Sequence, residues 1–307
     1  MRRITATILI FASLGCVRGP TLDDIDRSRR EFELAAALHD EQNIPGSVGH
    51  LRQALELNPN NPEAHLLTAL IEYGRRNYPV AEEHAARGVA LLVEQEREGA
   101  TLAEARNVLG VILIDREKYD EADVVLRESA MDAMNTSPHL AWGNLGLSEL
   151  QAGHPERALE SLSEAVRIQP RFCVGYHRMG RAFYELERWE EAELALVASL
   201  EADEVCADLP QLQNAWRLRA EVRAQLGRHR AAVGDLERCV AISANTPDGA
   251  VCQRLLNGTS REERETEEEV PFTEVPEDEV PEDQVPEDQV PEDGFSADSP
   301  ASTEDAP

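Results

Sequence analysis

The side chains best suited to covalent or metal chemistry in this 307-residue sequence are five cysteines and eight histidines. The histidines, His39, His50, His65, His84, His139, His154, His177 and His229, form no HExxH pattern and no short His/Cys pair at metal-ligand spacing. The chain also has no Gly-x-Ser-x-Gly elbow, no phosphate-binding loop ending in Gly-Lys, and no GxGxxG following a strand pattern. The histidines therefore read as surface or packing residues. Acidic pairs such as Glu190-Glu191 read as solvated helix faces. The sequence predicts a non-enzymatic protein with no metal, no cofactor and no small-molecule substrate.

Four of the cysteines, Cys173, Cys206, Cys239 and Cys252, lie in the second half of the chain. In an oxidising compartment an even number is consistent with two disulfides, and four thiols allow three connectivities. Cys239 falls where one helix packs on the next, and the next carries Cys252, so that pair is the first choice. Cys173 and Cys206 would remain, with free buried thiols the alternative for them. The fifth cysteine, Cys16, has a different setting. Met1-Arg2-Arg3 is a cationic start, and the apolar run Ile4–Leu14 has the length of a secretion-signal core, too short to span a bilayer. The run ends in Ser13-Leu14-Gly15-Cys16, which resembles a bacterial lipobox, with Ser13 where Leu is commoner. The expectation is cleavage before Cys16, lipidation of its thiol including a palmitate-type acyl chain, and a stable anchor from several chains. Val17, in place of an aspartate, favours the outer membrane by the same resemblance.

The elements that carry these residues show up as internal repeats. The clearest copy has Trp142, Leu145-Gly146, Ala158, Leu162, Ala165 and Pro170; the next has Tyr176, Met179-Gly180, Phe183, Trp189, Ala192, Leu196 and Ser199. The same grid places Leu34-Ala35, Ser47, Leu51 and Ala54 in a first copy, Ala69, Tyr78, Ala81 and Gly88 in a second, Leu109-Gly110, Tyr119, Ala122 and Leu126 in a third, and Trp216, Ala220, Ala232 and Leu236 in a sixth. Successive copies start 34, 41, 36, 34 and 40 residues apart, the excess falling around 93–101 and 205–212. This period and pattern resemble tetratricopeptide repeats, each a pair of antiparallel amphipathic helices crossing at small residues. The predicted fold is all-α: a signal peptide over 1–15, a linker over 16–27, and a solenoid of about six helix-turn-helix repeats over 28–258. A capping helix from Thr246-Pro247-Asp248 to about Leu256 closes the solenoid.

Basic residues number 30 against 59 acidic ones, for a net charge of −29, which excludes a phosphate-tracking nucleic-acid binder. Residues 261–307 hold 19 of the acidic side chains and two arginines, and repeat Val-Pro-Glu-Asp from Val275, Val280, Val285 and Val290. Proline at that period and like-charge repulsion predict a disordered acidic tail over 259–307.

In such stacks the first helix of each repeat lines a groove. The positions facing it give Phe32, Ala36, Leu66, Leu70, Tyr73, Asn107, Val111, Ile114, Leu147 and Leu150 over the first four repeats, and His177, Arg181, Tyr184, Arg217 and Glu221 over the last two. An apolar groove with a polar continuation suits an amphipathic helix or strand of a protein partner. The alternative, that some of these residues fill inner packing, stays open.

The lipobox, short linker and six repeats together resemble the type IV pilus biogenesis lipoproteins, the PilF/PilW/Tgl group of secretin pilotins. The closest stretches are Val108-Leu-Gly-Val-Ile-Leu-Ile-Asp-Arg-Glu-Lys-Tyr-Asp-Glu-Ala122 and Trp142-Gly-Asn-Leu-Gly-Leu-Ser-Glu-Leu150. The resemblance implies an outer-membrane lipoprotein facing the periplasm that binds a secretin and promotes its assembly. The runner-up is an envelope adaptor that recruits peptidoglycan hydrolases or assists outer-membrane protein assembly. A Cys16→Ser variant is expected to appear as soluble or unprocessed protein when membrane fractions are probed; an anchor elsewhere would leave it with the outer membrane.

Overall fold

A computed structural model describes residues 19–97 and 99–268, with side chains through residue 258. The signal peptide, Cys16 and residues 269–307 of the acidic tail lie outside the described residues. Among those described, all regular structure is helical. Six helix pairs follow in chain order: α1 (Leu22–Asp40) with α2 (Ile44–Leu57), α3 (Pro62–Gly74) with α4 (Tyr78–Glu94), α5 (Ala100–Asp115) with α6 (Tyr119–Met131), α7 (Pro138–Gln151) with α8 (Pro155–Ile168), α9 (Cys173–Glu185) with α10 (Trp189–Glu201), and α11 (Gln213–Gln225) with α12 (His229–Ile242). The extra residues near 205–212 form two single 3-10 turns, Cys206–Asp208 and Pro210–Leu212.

Helix boundaries follow local chemistry. Thr21 and Asp24 form a reciprocal capping box at the start of α1. Asn43 and Asn61 cap α2 and α3 by accepting the amides of Gly46 and Ala64 at 3.1 and 3.0 Å, and in both helices proline follows in the first turn, where its missing N–H costs no helical bond.

Each pair is fixed by one recurring contact, sixteen residues apart in sequence. A leucine of the second helix sits where a glycine of the first has no Cβ. A Cβ on Gly110, Gly146 or Gly180 would lie 2.4, 2.5 or 2.6 Å from Cγ of Leu126, Leu162 or Leu196. Those three leucines are fully buried. Repeats one and six use Ala35 against Leu51 and Ala220 against Leu236, and repeat two uses Ala69 against Ala85, all buried. Between repeats, each second helix packs on the first helix of the next repeat, and successive first helices also touch, α1–α3, α3–α5, α5–α7, α7–α9 and α9–α11, whereas successive second helices make no comparable contact. The first helices thus form the inner wall of the stack.

The final helix, α13, runs Pro247–Glu268 and so takes in the first ten residues, 259–268, of the predicted disordered tail. No proline falls between Pro247 and Pro271, and Arg261 and Arg264 stand four residues before Glu265 and Glu268, spacing that supports a helix. Thr246 Oγ1 accepts the Gly249 amide at 3.0 Å and donates to Gln213 Oε1 at 2.6 Å, which ties the start of α13 to α11.

Gly146→Ala is expected to destabilise the fold by about 1–3 kcal/mol through overpacking. Combined with Leu162→Ala, it should cost less than the two single changes added together, by about 1 kcal/mol, since the pair then matches Ala69 with Ala85. Urea unfolding of the four-member cycle measures this.

Candidate functional site

The inner wall changes character along its length. In the first two repeats, Phe32 and Ala36 of α1 and Leu66, Leu67 and Leu70 of α3 line an apolar depression, with His39, Asp40 and Glu63 at its edge. Leu70 is 43% exposed, whereas the pairing leucines are dry. Three of the predicted groove residues, Phe32, Leu66 and Leu70, are therefore brought together. Leu66 also has a structural duty, because its side chain leans on Gly88 of α4 and packs with Leu92, Leu102 and Ala105. Tyr73 lies one turn further on. Its hydroxyl donates to Asp115 Oδ2 of α5 at 2.6 Å, and burial together with that carboxylate raises its pKa.

Two predicted groove residues belong elsewhere. Ile114 is 3% exposed and joins the core cluster around Leu109 and Leu126, and Leu150 is 2% exposed against Leu162 and Ala182. Each sits near the end of its helix, where the wall side has turned into the contact with the partner helix. Val111 and Leu147 keep partial exposure on the wall.

From the third repeat onward the wall also carries polar side chains, which join neighbouring first helices. Asn144 Nδ2 donates to Asn107 Oδ1 at 3.0 Å, and Arg178 Nη1 donates to Asn144 Oδ1 at 3.2 Å, linking α5, α7 and α9. His177 Nε2 lies 3.1 Å from Asn214 Oδ1 of α11. Asn214 and Arg217 both donate to Asp248 of α13, at 2.8 and 2.9 Å. Tyr184 donates to Glu221 at 2.9 Å, and Arg181 pairs with Glu185 within its own helix. Sequence reasoning missed Asn144 and Arg178, which follow Gly143 and His177 by one position. The available signal was a polar residue two positions before the pairing glycine, Asn144 before Gly146 and Arg178 before Gly180.

The cysteines are joined as two disulfides. Cys173 of α9 bonds Cys206 of the first 3-10 turn, with Cα atoms 6.0 Å apart, and Cys239 of α12 bonds Cys252 of α13 at 6.2 Å. The first holds the inserted turns on repeat five, and the second fastens the cap to repeat six. No group of three or more potential metal ligands occurs among the described residues.

Two further groups matter for the electrostatics. Glu149 is buried inside repeat four, where Ser161 donates to it at 2.7 Å beneath Arg127 and Arg157, and burial raises its pKa. His65 and His84 join α3 to α4 through Nδ1 atoms 2.9 Å apart, while His65 Nε2 lies 3.0 Å from the Pro59 carbonyl. A carbonyl only accepts, so His65 is protonated on Nε2 and accepts on Nδ1 from His84. That bond requires His65 Nδ1 to stay unprotonated, and burial lowers both pKa values.

The family described as "Tetratricopeptide repeat" matches residues 27–95, 140–172 and 177–250. The type IV pilus assembly protein PilF of Pseudomonas aeruginosa is 28% identical over 118 residues, covering 38% of this chain and 44% of that protein, so the match spans under half of the relative's length. Among solved structures, that of Pseudomonas aeruginosa PilF superposes with a TM-score of 0.60 at 18% identity, covering 76% of this chain and 99% of that one. The crystal structure of PilW, described as a widely conserved type IV pilus biogenesis factor, gives 0.62 at 18% identity, covering 73% and 97%.

Burial lowers the pKa of His65, His84, His139 and His177 from 6.5. The unfolded chain then binds more protons than the folded one just below that value, so stability rises with pH. It is expected to be fully present above about pH 6.5 and to decline on acidification below it, with Glu149 opposing the trend at lower pH. Urea midpoints at pH 7.5 and 5.5 test this, and His84→Gln should make the decline shallower.

Proposed function

We propose that this chain, which belongs to the tetratricopeptide-repeat family, binds a protein partner in the apolar depression of its first two repeats and serves the assembly of type IV pili. The carrying observation is the cluster of Phe32, Ala36, Leu66, Leu67 and Leu70 on the inner wall, where an exposed leucine has no internal packing to explain it. Apolar side chains on an inner wall are costly to hydrate, and a partner's apolar face relieves that cost. The kinship with PilF, a type IV pilus assembly protein, supports the pilus context.

Within that reading the partner is the outer-membrane secretin. The chain acts as its pilotin, anchored by lipid at Cys16 to the periplasmic side of the outer membrane. The first repeats follow the anchor directly in sequence, so the depression is held near the membrane where a secretin assembles. No catalytic step is needed: the protein's work in this reading is to bind the secretin and promote its assembly.

Because Leu66 also packs on Gly88, the cleaner probe is Leu70. Leu70→Glu is expected to keep the helical circular-dichroism signal and to lower secretin capture and secretin multimer formation by tenfold or more, in keeping with a central apolar anchor. A folded Leu70→Glu protein that still supports multimers would remove this surface from the mechanism.

A further inference from the structure

Arg178 is out of keeping with its surroundings. Carboxylates outnumber basic residues about two to one in this chain, and the neighbouring arginines are matched: Arg181 with Glu185, Arg217 with Glu221 and Asp248, Arg219 with Asp235, Arg223 with Glu193 and Asp235. Arg178 sits partly buried on the inner wall and has no carboxylate partner among the described residues. Its bond is to a neutral amide, Asn144, which is turned by Asn107 so that its oxygen points at the guanidinium. Loss of water pulls its pKa down to about 10, with no anion to restore it. A dewatered cation left without a counter-ion is unfavourable, and a ligand's anion would remove that cost.

Gly143, buried on α7, lets α9 approach closely: a Cβ there would fall 2.7 Å from Phe172 Cε1 and 3.4 Å from Arg178 Nη1, so the missing side chain lets Phe172 and Arg178 seat against α7. Val111 and Leu147 flank the site, one turn from Asn107 and Asn144 on their own helices, and both remain partly exposed. The wall continues on both sides of Arg178, toward α3 through α5 and toward α11. It suits a chain passing through better than a chain ending there.

We propose that Arg178, with Asn144 and Asn107 behind it, is a second recognition point on the inner wall that takes the side-chain carboxylate of an Asp or Glu within an otherwise apolar partner segment. This rests on the reading of the inner wall as a partner-binding surface and adds the chemistry the partner must present. The guanidinium offers a planar fork to the carboxylate, and Val111 and Leu147 receive the apolar residues beside it. One segment then reads as an apolar stretch for repeats one and two followed by an acidic residue for repeats three to five.

The test uses the full chain and a phage-displayed library of 16-residue peptides inserted between flanking domains, so that no peptide carries a free carboxyl terminus. Selection on the unaltered protein should enrich peptides with Asp or Glu at one fixed position among apolar residues. In the best peptide, made with both ends capped, Glu→Gln should weaken binding by about tenfold or more, and the same change should matter little to the Arg178→Gln protein. Asn144→Asp, which supplies Arg178 with an internal counter-ion, should also abolish the acidic preference while leaving the fold intact by circular dichroism.

Peptides without a fixed acidic position, an acidic preference that persists in Arg178→Gln, or no selected peptide at all would each overturn the proposal. So would binders that appear only in a second library displaying free carboxyl termini, which would assign the cation to a chain end. Leu70→Glu separates the two readings: it should remove the apolar preference and spare the acidic one. If the acidic preference survives where the unaltered protein shows no apolar preference, the depression of the first repeats fails and this site stands.

Discussion

The constraint on which the stack depends is the distance of closest approach within each helix pair, set by one small residue on the first helix facing one residue on the second. Where the first helix offers glycine, at Gly110, Gly146 and Gly180, the opposing leucine enters the space of the missing Cβ. Where it offers alanine, either the second helix also shortens, as at Ala69 with Ala85, or the pair accepts Ala against Leu, as at Ala35 with Leu51 and Ala220 with Leu236. Because close packing leaves no slack for an added methylene, this contact fixes the spacing of the pair. Only helices held at that spacing can bring successive first helices into contact with one another, and so make an inner wall at all.

Once the wall exists, its chemistry is free to vary, because its side chains are not needed for pairing. The first two repeats spend that freedom on an apolar depression. The later repeats build hydrogen bonds from helix to helix, from Asn107 through Asn144 to Arg178 and from His177 through Asn214 to Asp248. The two regions are tied differently. The polar half is reinforced by two disulfides that hold the inserted turns and the cap in place, and by Arg219 and Arg223 gripping Asp235 inside the last repeat. The apolar half lacks disulfides, and one of its cross-links is the His65–His84 pair, which survives only while His65 does not take a second proton. The end reinforced by covalent bonds is therefore the one farther along the chain from the predicted lipid anchor.

The sequence by itself was enough for the architecture, because repeat packing writes a local and periodic signal. Gly146, Ala158 and Leu162 recur in later and earlier copies at the spacing helix pairs require, and each recurrence reports the same contact. The cap was legible from Thr246 and Pro247, and the Cys239–Cys252 pairing from the position of Cys239 on that contact. The cap's far end was not, since the helix continues to Glu268 on charge spacing after its apolar residues run out. On the wall, position within a repeat was a fair guide to Phe32, Leu66 and Leu70. It failed for Ile114 and Leu150, because 3.6 residues per turn rotate the last positions of a helix off the wall and into the core, by an amount that depends on how the next helix is laid. Arg178 could be named from the sequence only as one basic residue among many. That it lacks a carboxylate, rests on Asn144 and lies against Gly143 are facts about residues 34 and 35 positions apart. Tertiary packing alone decides which charges find partners, because an ion pair is set by distance in space and the sequence records only distance along the chain.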